Sequence, residues 1–158
     1  MNIGYDKANR KFGAADMLID ANDFGKSVTY PRQSPKGNLI AFIAIDYGYF
    51  SIFNPEADVY LYNTKTREIT KPEINSEFTE SYPSWSANGS WLMYISKRKD
   101  GVLSQVWFSH VDENGNAGKA FVLPQKNPDF YDGQTFNFNR PEFISGKVML
   151  NPRKVLSK

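Results

Sequence analysis

The stretch YPRQSPKGNLIAFI, residues 30–43, decides the fold, because it recurs 52 residues later as YPSWSANGSWLMYI, residues 82–95. In both copies a Pro opens a short segment, a polar tetrad ending in Gly follows, and an apolar run comes next. Gly supplies the positive φ of a tight turn, and Pro is tolerated at the start of a strand. Each copy therefore predicts two antiparallel strands. A third start, residues 140–143, follows 58 residues after the second.

Each copy is followed by a second predicted strand pair. Residues 58–63 read as a strand, 64–67 as a polar turn and 68–70 as a short outer strand. The same order recurs as the strand 105–111, the turn 112–116 and the strand 120–123. Four short strands per unit with Gly-rich turns are typical of a propeller blade. The predicted fold class is thus all-β, with antiparallel four-stranded β-propeller blades, about two complete blades plus partial ones.

The repeat also sets the expected boundaries. Blade one covers residues 28–81 and blade two covers 82–139, while 140–158 holds the start of a next blade and a tail. Residues 1–27 are a partial preceding blade or an irregular lead-in. Within them, residues 9–22 leave two alternatives open: a helix, or the last strand of an incomplete blade around residues 17–20.

Composition excludes several classes of protein. The chain has 158 residues, 15% of them aromatic, which favours pleated β structure. The net charge of +2 predicts no nucleic-acid partner, and the basic tail reads as a solvated terminus (Lys147, Arg153, Lys154 and Lys158). The absence of Cys excludes disulfides and thiolate zinc sites. No run reaches the ~18 apolar residues of a membrane span, so no membrane insertion is expected.

Residues 82–98 resemble the TolB-like, WD-like propeller repeat, which reads Pro-x-Trp-Ser-Pro-Asp-Gly, then Ile-x-Phe, then Ser-x-Arg. The matching residues are Pro83, Trp85, Ser86, Gly89, Leu92, Tyr94, Ser96 and Arg98. The first copy departs from the pattern at Gln33 and Lys36, and the second has Ala87 and Asn88 in place of Pro-Asp. The resemblance covers about residues 28–150.

Short stretches are also similar to exported propeller proteins of Bacteroidetes. They are residues 46–50, 55–58, 98–101 and 121–125. This resemblance implies blades near the C-terminus of a longer protein in the periplasm or cell envelope, and TolB-like proteins work there through protein contacts. Residues 1–7 lack the apolar core of a signal peptide. We therefore expect a mature or excised part of a larger protein, with a cytoplasmic protein as the alternative.

Loop lengths predict which end of the blades carries function. Strand direction alternates, so the first and third turns of each blade share one face, while the middle loops and the connections between blades share the other. The long segments 46–57, 71–81, 97–104 and 125–139 all fall in the second class. Long loops on a rigid scaffold commonly bind ligands. The predicted binding residues are Tyr47, Tyr49, Phe50, Phe53, Glu56, Arg98, Asp100, Phe130 and Tyr131.

Each of these residues also has a structural interpretation. The rings could instead pack the loops onto the blades, and Arg98 and Asp100 could pair within their turn. His110 is the single His, and no Gly-x-Ser-x-Gly elbow accompanies it. The turn beginning at Asp112 has its Gly too early and Leu123 where a calcium loop needs Glu. No catalytic residue, metal site or cofactor is predicted.

Three functions stay open from the sequence. The first is a non-catalytic binding module that recognises a protein, peptidoglycan or glycan partner through the long loops. The second is a fragment of a propeller-type hydrolase or lyase whose catalytic residues lie outside this chain. The third is a structural spacer. Two isolated blades would expose sheet edges and faces, so self-association or contact with further blades is expected.

Overall fold

The fold consists of antiparallel sheets of two, four and four strands. The structure, a computed structural model, describes residues 1–147 and 149. The strands are β1 (Asn2–Asp6), β2 (Lys11–Asp16), β3 (Ser27–Gln33), β4 (Leu39–Ile45), β5 (Asp58–Asn63), β6 (Ile69–Thr70), β7 (Glu80–Trp85), β8 (Trp91–Ser96), β9 (Gln105–His110) and β10 (Phe121–Val122). One helical turn, α1 (Ala21–Phe24), and 3-10 turns at Ser51–Phe53 and Pro128–Tyr131 complete the elements. None of the helical segments described is long and apolar enough to cross a bilayer.

Each four-stranded sheet is built from consecutive strands. Sheet one has the order β3-β4-β5-β6, and sheet two has the order β7-β8-β9-β10. The Gly turns predicted from the repeat close in the same way in both sheets. The Gly37 amide donates to the Ser34 carbonyl, and the Gly89 amide donates to the Ser86 carbonyl, each at 2.8 Å. The all-β prediction with antiparallel four-stranded units is confirmed.

The first strand of each sheet carries the same irregularity. Tyr30 and Tyr82 have φ values of 51° and 52°, in the left-handed region, and each lies at a register shift between its strand and the next. Such a bulge bends the strand and re-aims a side chain. The two Tyr rings meet edge to face at 4.9 Å. The repeat is therefore conserved in backbone detail as well as in residue pattern.

The two sheets pack face to face around the main core. The core residues are Leu39, Ala41, Ile43, Ile45, Ala57, Val59, Leu61, Ile74, Trp85, Leu92, Tyr94 and Val111. Trp85 seals the contact, since its indole Nε1 donates to the Arg32 carbonyl at 2.9 Å. Trp85 stands where sheet one has Gln33. Burial of these side chains is the main source of stability, at about 25 cal/mol per Å2 of apolar surface.

The sheets are stacked in the same sense. Leu92 and Tyr94 of β8 face sheet one. The residues at the equivalent repeat positions in β4, Ile40 and Phe42, lie on the opposite side of sheet one from sheet two. Leu18, Ile19 and Phe24 partly cover that outer side. Each sheet thus presents the same face in the same direction.

The N-terminal region corrects both expectations for residues 9–22. Within residues 9–22 only residues 21 and 22 are helical, as the beginning of α1. The prediction of a strand around residues 17–20 is also wrong. Lys11–Asp16 instead pairs with Asn2–Asp6 as a hairpin. After this hairpin Asp20 caps the start of α1, and its carboxylate accepts a hydrogen bond from the Asn22 amide at 2.9 Å.

The expected next blade is only partly within the described residues. Residues 140–147 form no strand, but Glu142 contacts Ser84 of β7, with 3.0 Å between its Oε2 and the Ser84 Oγ. Residues 148 and 150–158 of that predicted segment, including Arg153, Lys154 and Lys158 of the basic tail, lie outside the described residues. The prediction of a further blade stays a prediction.

Candidate functional site

The long segments meet on one face, as the alternation of strand direction predicts. Thr79 Oγ1 donates to the Asn54 carbonyl at 2.9 Å, and the Lys97 amide donates to the Thr79 carbonyl at 3.0 Å. Lys99 Nζ lies 2.8 Å from the Tyr131 carbonyl. These contacts join the segments 46–57, 71–79, 97–104 and 125–139. We call this side of the molecule the loop face.

The opposite side holds the short turns. Asn38 of the first turn in sheet one donates from Nδ2 to the Glu113 carbonyl at 2.7 Å. Thr64 Oγ1 donates to the Gly37 carbonyl at 2.9 Å. The turns of both sheets therefore contact one another on this side, which also holds the longer connection 111–120 between β9 and β10.

The most exposed rings of the loop face lie in the segment 46–57. Tyr47, Tyr49 and Phe53 are 77%, 75% and 74% exposed, and Phe50 is 48% exposed. The Phe50 and Phe53 rings stack at 5.4 Å, and Tyr49 meets Phe50 edge to face at 6.3 Å. We call these four rings the ring tip. Three of the predicted binding residues, Tyr49, Phe50 and Phe53, thus form one ring cluster, and Tyr47 is exposed in the same segment.

Hydrogen bonds hold the backbone of the ring tip in place. Ser51 lies between the exposed rings but is fully buried, and its hydroxyl is 2.5 Å from that of Ser81 in β7. Asn54 Nδ2 donates back to the Phe50 carbonyl at 3.2 Å. The amide of Ala57 donates to the Asn54 carbonyl at 3.0 Å, closing the loop. The rings are exposed because the backbone between them is held against sheet two.

Charged groups surround the ring tip. Lys97 Nζ lies 5.7 Å from the Phe53 ring centroid, a cation–π contact. Asp46, where the segment begins, forms an ion pair with Lys26, and this hydrogen bond raises the pKa of Lys26. Glu56 is half-buried and makes no side-chain hydrogen bond to the residues that the structure describes. The assignment of Glu56 to the binding surface stays a prediction.

Arg98 belongs to a buried network and not to the exposed surface. Its side chain is 18% exposed, and its Nη2 lies 3.3 Å from Glu80 Oε1 and 2.6 Å from the Ile74 carbonyl. The guanidinium also covers the Trp107 ring at 4.2 Å. The alternative that Arg98 pairs with Asp100 is wrong. Asp100 accepts the amides of residues 102 and 103 at 2.8 Å, which lowers its pKa.

The partner of Arg98, Glu80, was missed by the sequence reasoning. Its side chain is fully buried, and it accepts hydrogen bonds from Ser96 Oγ at 2.6 Å and Ser76 Oγ at 2.7 Å. Burial raises the pKa of Glu80, and the hydrogen bonds from Ser96 and Ser76 and the charge of Arg98 offset part of that rise. The available signal was a carboxylate at the first position of a strand otherwise rich in buried residues. This network locks the segment 97–104 to the connection 71–79.

Phe130 and Tyr131 are half-buried and pack their own segment. The Tyr131 hydroxyl donates to the Leu123 carbonyl at 2.7 Å, and its ring contacts Phe130 at 5.1 Å. Phe136 and Phe138 pair at 5.3 Å in the same cluster. The structural interpretation therefore fits this segment, and the predicted site divides into the exposed ring tip and these packing residues.

His110 is exposed at the end of β9, where its ring meets Trp91 edge to face at 5.3 Å. Across the residues described, no group of three or more His, Cys, Asp or Glu side chains is arranged to hold a metal ion. No protein-family model matches the chain, and no curated protein matches it.

Proposed function

We propose that this chain is a non-catalytic binding module made of propeller-type blades, which captures a protein partner with its ring tip. The observation that carries the proposal is the exposure of about three quarters of Tyr47, Tyr49 and Phe53 on a loop with a buried base. Exposed ring clusters mark interaction surfaces, and aromatic side chains dominate the binding energy of protein interfaces. A loop already held in place loses little entropy on binding.

A protein partner fits the ring tip better than a glycan does. Sugar recognition by stacking needs an open ring face, and at Phe53 contacts with Lys97 and Phe50 reduce the ring face that a sugar could cover. The exposed ring edges also suit insertion into a pocket of a partner. Lys97 and the Asp46–Lys26 pair supply a charged rim of the kind that surrounds protein interfaces.

The propeller arrangement is supported by contacts between equivalent residues. Arg32, Ser84 and Glu142 occupy the same position in the three repeat starts. Glu142 contacts both of the others: Oε1 is 3.3 Å from Arg32 Nη2, and Oε2 is 3.0 Å from Ser84 Oγ. Repeat starts that converge in this way, together with sheets stacked in one sense, are what a radial array requires. A location in the periplasm or cell envelope completes the proposal and rests on the resemblance.

The ring tip can be tested by site-specific photo-cross-linking. A photoreactive phenylalanine analogue is placed at Phe53, and at Phe136 as a matched control in the packing cluster. We expect a protein adduct from position 53 that is absent from position 136. The binding of that adduct protein to the purified chain is then measured by calorimetry. The double variant Tyr49→Ala/Phe53→Ala should weaken it by at least tenfold, whereas Phe136→Ala should not.

Two results would contradict this function. Absence of any adduct specific to position 53, with correct folding by circular dichroism, would favour a spacer. Binding to an immobilised glycan that the double variant loses, without a protein adduct, would assign the ring tip to carbohydrate recognition.

A further inference from the structure

Sheet two contains two Asn-Gly pairs, Asn88-Gly89 between β7 and β8 and Asn114-Gly115 between β9 and β10. In both pairs the glycine has a positive φ, 65° at Gly89 and 94° at Gly115. Asn is one of the chemically labile residues of proteins. It is most labile before Gly, because a residue without a Cβ leaves its own amide nitrogen unhindered. The two pairs therefore start from the same chemistry, and only their surroundings differ.

The first pair is held and covered by its neighbours. Asn88 Oδ1 accepts hydrogen bonds from Ser86 Oγ at 2.7 Å and from the Ser90 amide at 3.1 Å. Gly89 is buried, and its amide donates to the Ser86 carbonyl at 2.8 Å. The Lys36 side chain lies over Gly89, since a Cβ added there would be 3.2 Å from Lys36 Cγ. Both groups that would have to react with each other are thus restrained.

The second pair is accessible. Asn114 is exposed, and its side chain makes no hydrogen bond to the residues that the structure describes; its backbone amide donates to Asp112 Oδ1 at 2.9 Å. Gly115 is only half-buried, and its amide makes a longer hydrogen bond, 3.2 Å to the Asp112 carbonyl. The Asn114 side chain can therefore turn toward the Gly115 amide, and water reaches the pair.

We propose that Asn114 is a site of spontaneous deamidation, and that the isoaspartate formed there releases this turn from sheet one. The Gly115 amide nitrogen attacks Cγ of Asn114, so that an N–C bond forms and the bond from Cγ to Nδ2 breaks. The proton of the Gly115 amide leaves with Nδ2 as ammonia, and a succinimide ring remains. Water then opens the ring at either carbonyl and gives aspartate or isoaspartate. The reaction involves no oxidation or reduction, and water is the co-reactant.

The turn that contains Asn114 joins sheet two to sheet one. The Glu113 carbonyl accepts from Asn38 Nδ2 at 2.7 Å, and the Glu113 carboxylate pairs with Lys36 Nζ at 3.2 Å. On the other side of Asn114, a Cβ added at Gly115 would lie 3.3 Å from Leu39 Cδ2, and Leu39 is buried. The two neighbours of Asn114 in the sequence therefore make the contact with sheet one.

Isoaspartate would alter this turn in two ways. Its main chain runs through the former side-chain carbon, which lengthens the backbone between Glu113 and Gly115 by one bond. Asp112 Oδ1 closes the present turn by accepting the amides of Asn114 and Asn116 at 2.9 and 2.8 Å, and these bonds depend on the present spacing. The new carboxylate also adds a negative charge next to Asp112 and Glu113, and like charges repel one another.

The modification is tested by ageing the purified chain in mildly alkaline buffer, both folded and in urea. Peptide mapping by mass spectrometry follows the replacement of the side-chain NH2 by OH at each pair, and electron-transfer fragmentation separates isoaspartate from aspartate. In the folded chain we expect Asn114 to react about tenfold faster than Asn88, because local structure protects only the first pair. In urea, which removes that structure, the two rates should agree within about threefold.

The release of the turn is measured by hydrogen exchange. Exchange of the segment 34–39 should be faster in the aged chain than in the fresh chain, in proportion to its isoaspartate content. Asn114→Gln is the matched control, because it keeps the amide on a longer side chain that does not readily form the ring, so ageing should leave its exchange unchanged. Fresh Asn114→Asp adds the charge without lengthening the backbone and should show a smaller increase than isoaspartate.

Three results would overturn the inference. Equal reaction of Asn114 and Asn88 in the folded chain, or none at Asn114, would exclude the modification site. A rate difference that persists in urea would show that the fold does not cause it. Exchange in the aged chain that matches Asn114→Gln would exclude release of the turn. The ring tip lies on the opposite side of the molecule, so its photo-cross-linking test is independent of all three.

Discussion

At equivalent positions of the two four-stranded sheets, sheet two has polar side chains and sheet one has apolar ones. Sheet two buries Glu80, Ser96 and the Tyr94 hydroxyl on the side that faces sheet one, where Tyr94 donates to the Ile74 carbonyl at 3.0 Å. Sheet one has Val28, Ala44 and Phe42 at the equivalent positions, and they join an apolar cluster. The backbones pair alike, since Glu80 is opposite Ser96 as Val28 is opposite Ala44.

The difference follows from the groups that pack against the equivalent face of each sheet. The connection 71–79 crosses the interface between the sheets and brings the Ile74 carbonyl into the core, where it needs donors. Arg98 and Tyr94 supply them, and Glu80 balances the charge of Arg98. The outer side of sheet one meets apolar side chains such as Phe24, whose ring contacts Tyr60 at 5.4 Å. The same four-stranded pattern can thus be covered by a polar network or by aromatic rings.

The largest effect is expected from breaking the buried pair in sheet two. Arg98→Met leaves the Glu80 carboxylate buried without its cation and removes a donor to the Ile74 carbonyl. We expect a loss of about 3–5 kcal/mol in the free energy of unfolding, measured by urea denaturation. The comparison change beside sheet one is Lys26→Met, which removes the exposed pair with Asp46 and should cost less than about 1 kcal/mol.

A further variant keeps this prediction informative if Arg98→Met does not fold. Glu80→Met/Arg98→Met removes both charges and should recover part of the lost stability, because no buried charge is left unpaired. Equal losses for Arg98→Met and Lys26→Met would show that the two sheets do not differ as described.

A smaller effect is expected from making sheet two resemble sheet one at a single atom. Tyr94→Phe creates the side chain that sheet one has at Phe42 and removes the hydrogen bond to the Ile74 carbonyl. We expect a loss of about 1–2 kcal/mol, seen as a lower melting temperature. Tyr62→Phe is the control, since the Tyr62 hydroxyl makes no hydrogen bond to the described residues. A comparable loss of stability in Tyr62→Phe would show that the hydrogen bond to the Ile74 carbonyl is not the cause.

The smallest effect is a pH dependence set by Glu80, for which sheet one has the non-titrating Val28 at the equivalent position. Burial raises the pKa of Glu80, so at pH values between the unfolded and the folded pKa the folded chain holds a proton at this carboxyl that the unfolded chain has lost. The contribution of Glu80 to stability is therefore full below its unfolded pKa and is lost as pH rises through the folded pKa. Glu80→Gln should remove this dependence of stability on pH. In urea denaturation, the free energy of unfolding of the wild type relative to that of the variant should therefore fall as the pH increases. A difference that is constant with pH would contradict the assignment.

Local patterns predicted the strands well and the partners of side chains poorly. The strands Leu39–Ile45 and Trp91–Ser96 follow from apolar runs next to Gly turns, and Asp58–Asn63 follows from an apolar run next to a polar turn, because turn geometry and alternation act over a few residues. Arg98 was assigned to the surface because its position in a long polar segment gives no sign of burial. Its partner, Glu80, lies 18 residues away, and a contact at that separation depends on how the sheets pack.

The candidate site shows the same division. The sequence identified the aromatic segments 46–57 and 125–139 and the face they share, since strand direction alone orders the loops. Only the tertiary structure separated them: Tyr131 is tied to the Leu123 carbonyl, while Tyr49 and Phe53 stay exposed.

The sequence by itself determined the repeat, the antiparallel four-stranded units and the end of the units where the long loops gather, because turns and strand alternation are local properties. The tertiary structure decided which rings are exposed and which charges are buried. Those properties depend on contacts between residues far apart in the chain, and a polar or aromatic side chain has no fixed burial until its neighbours are in place.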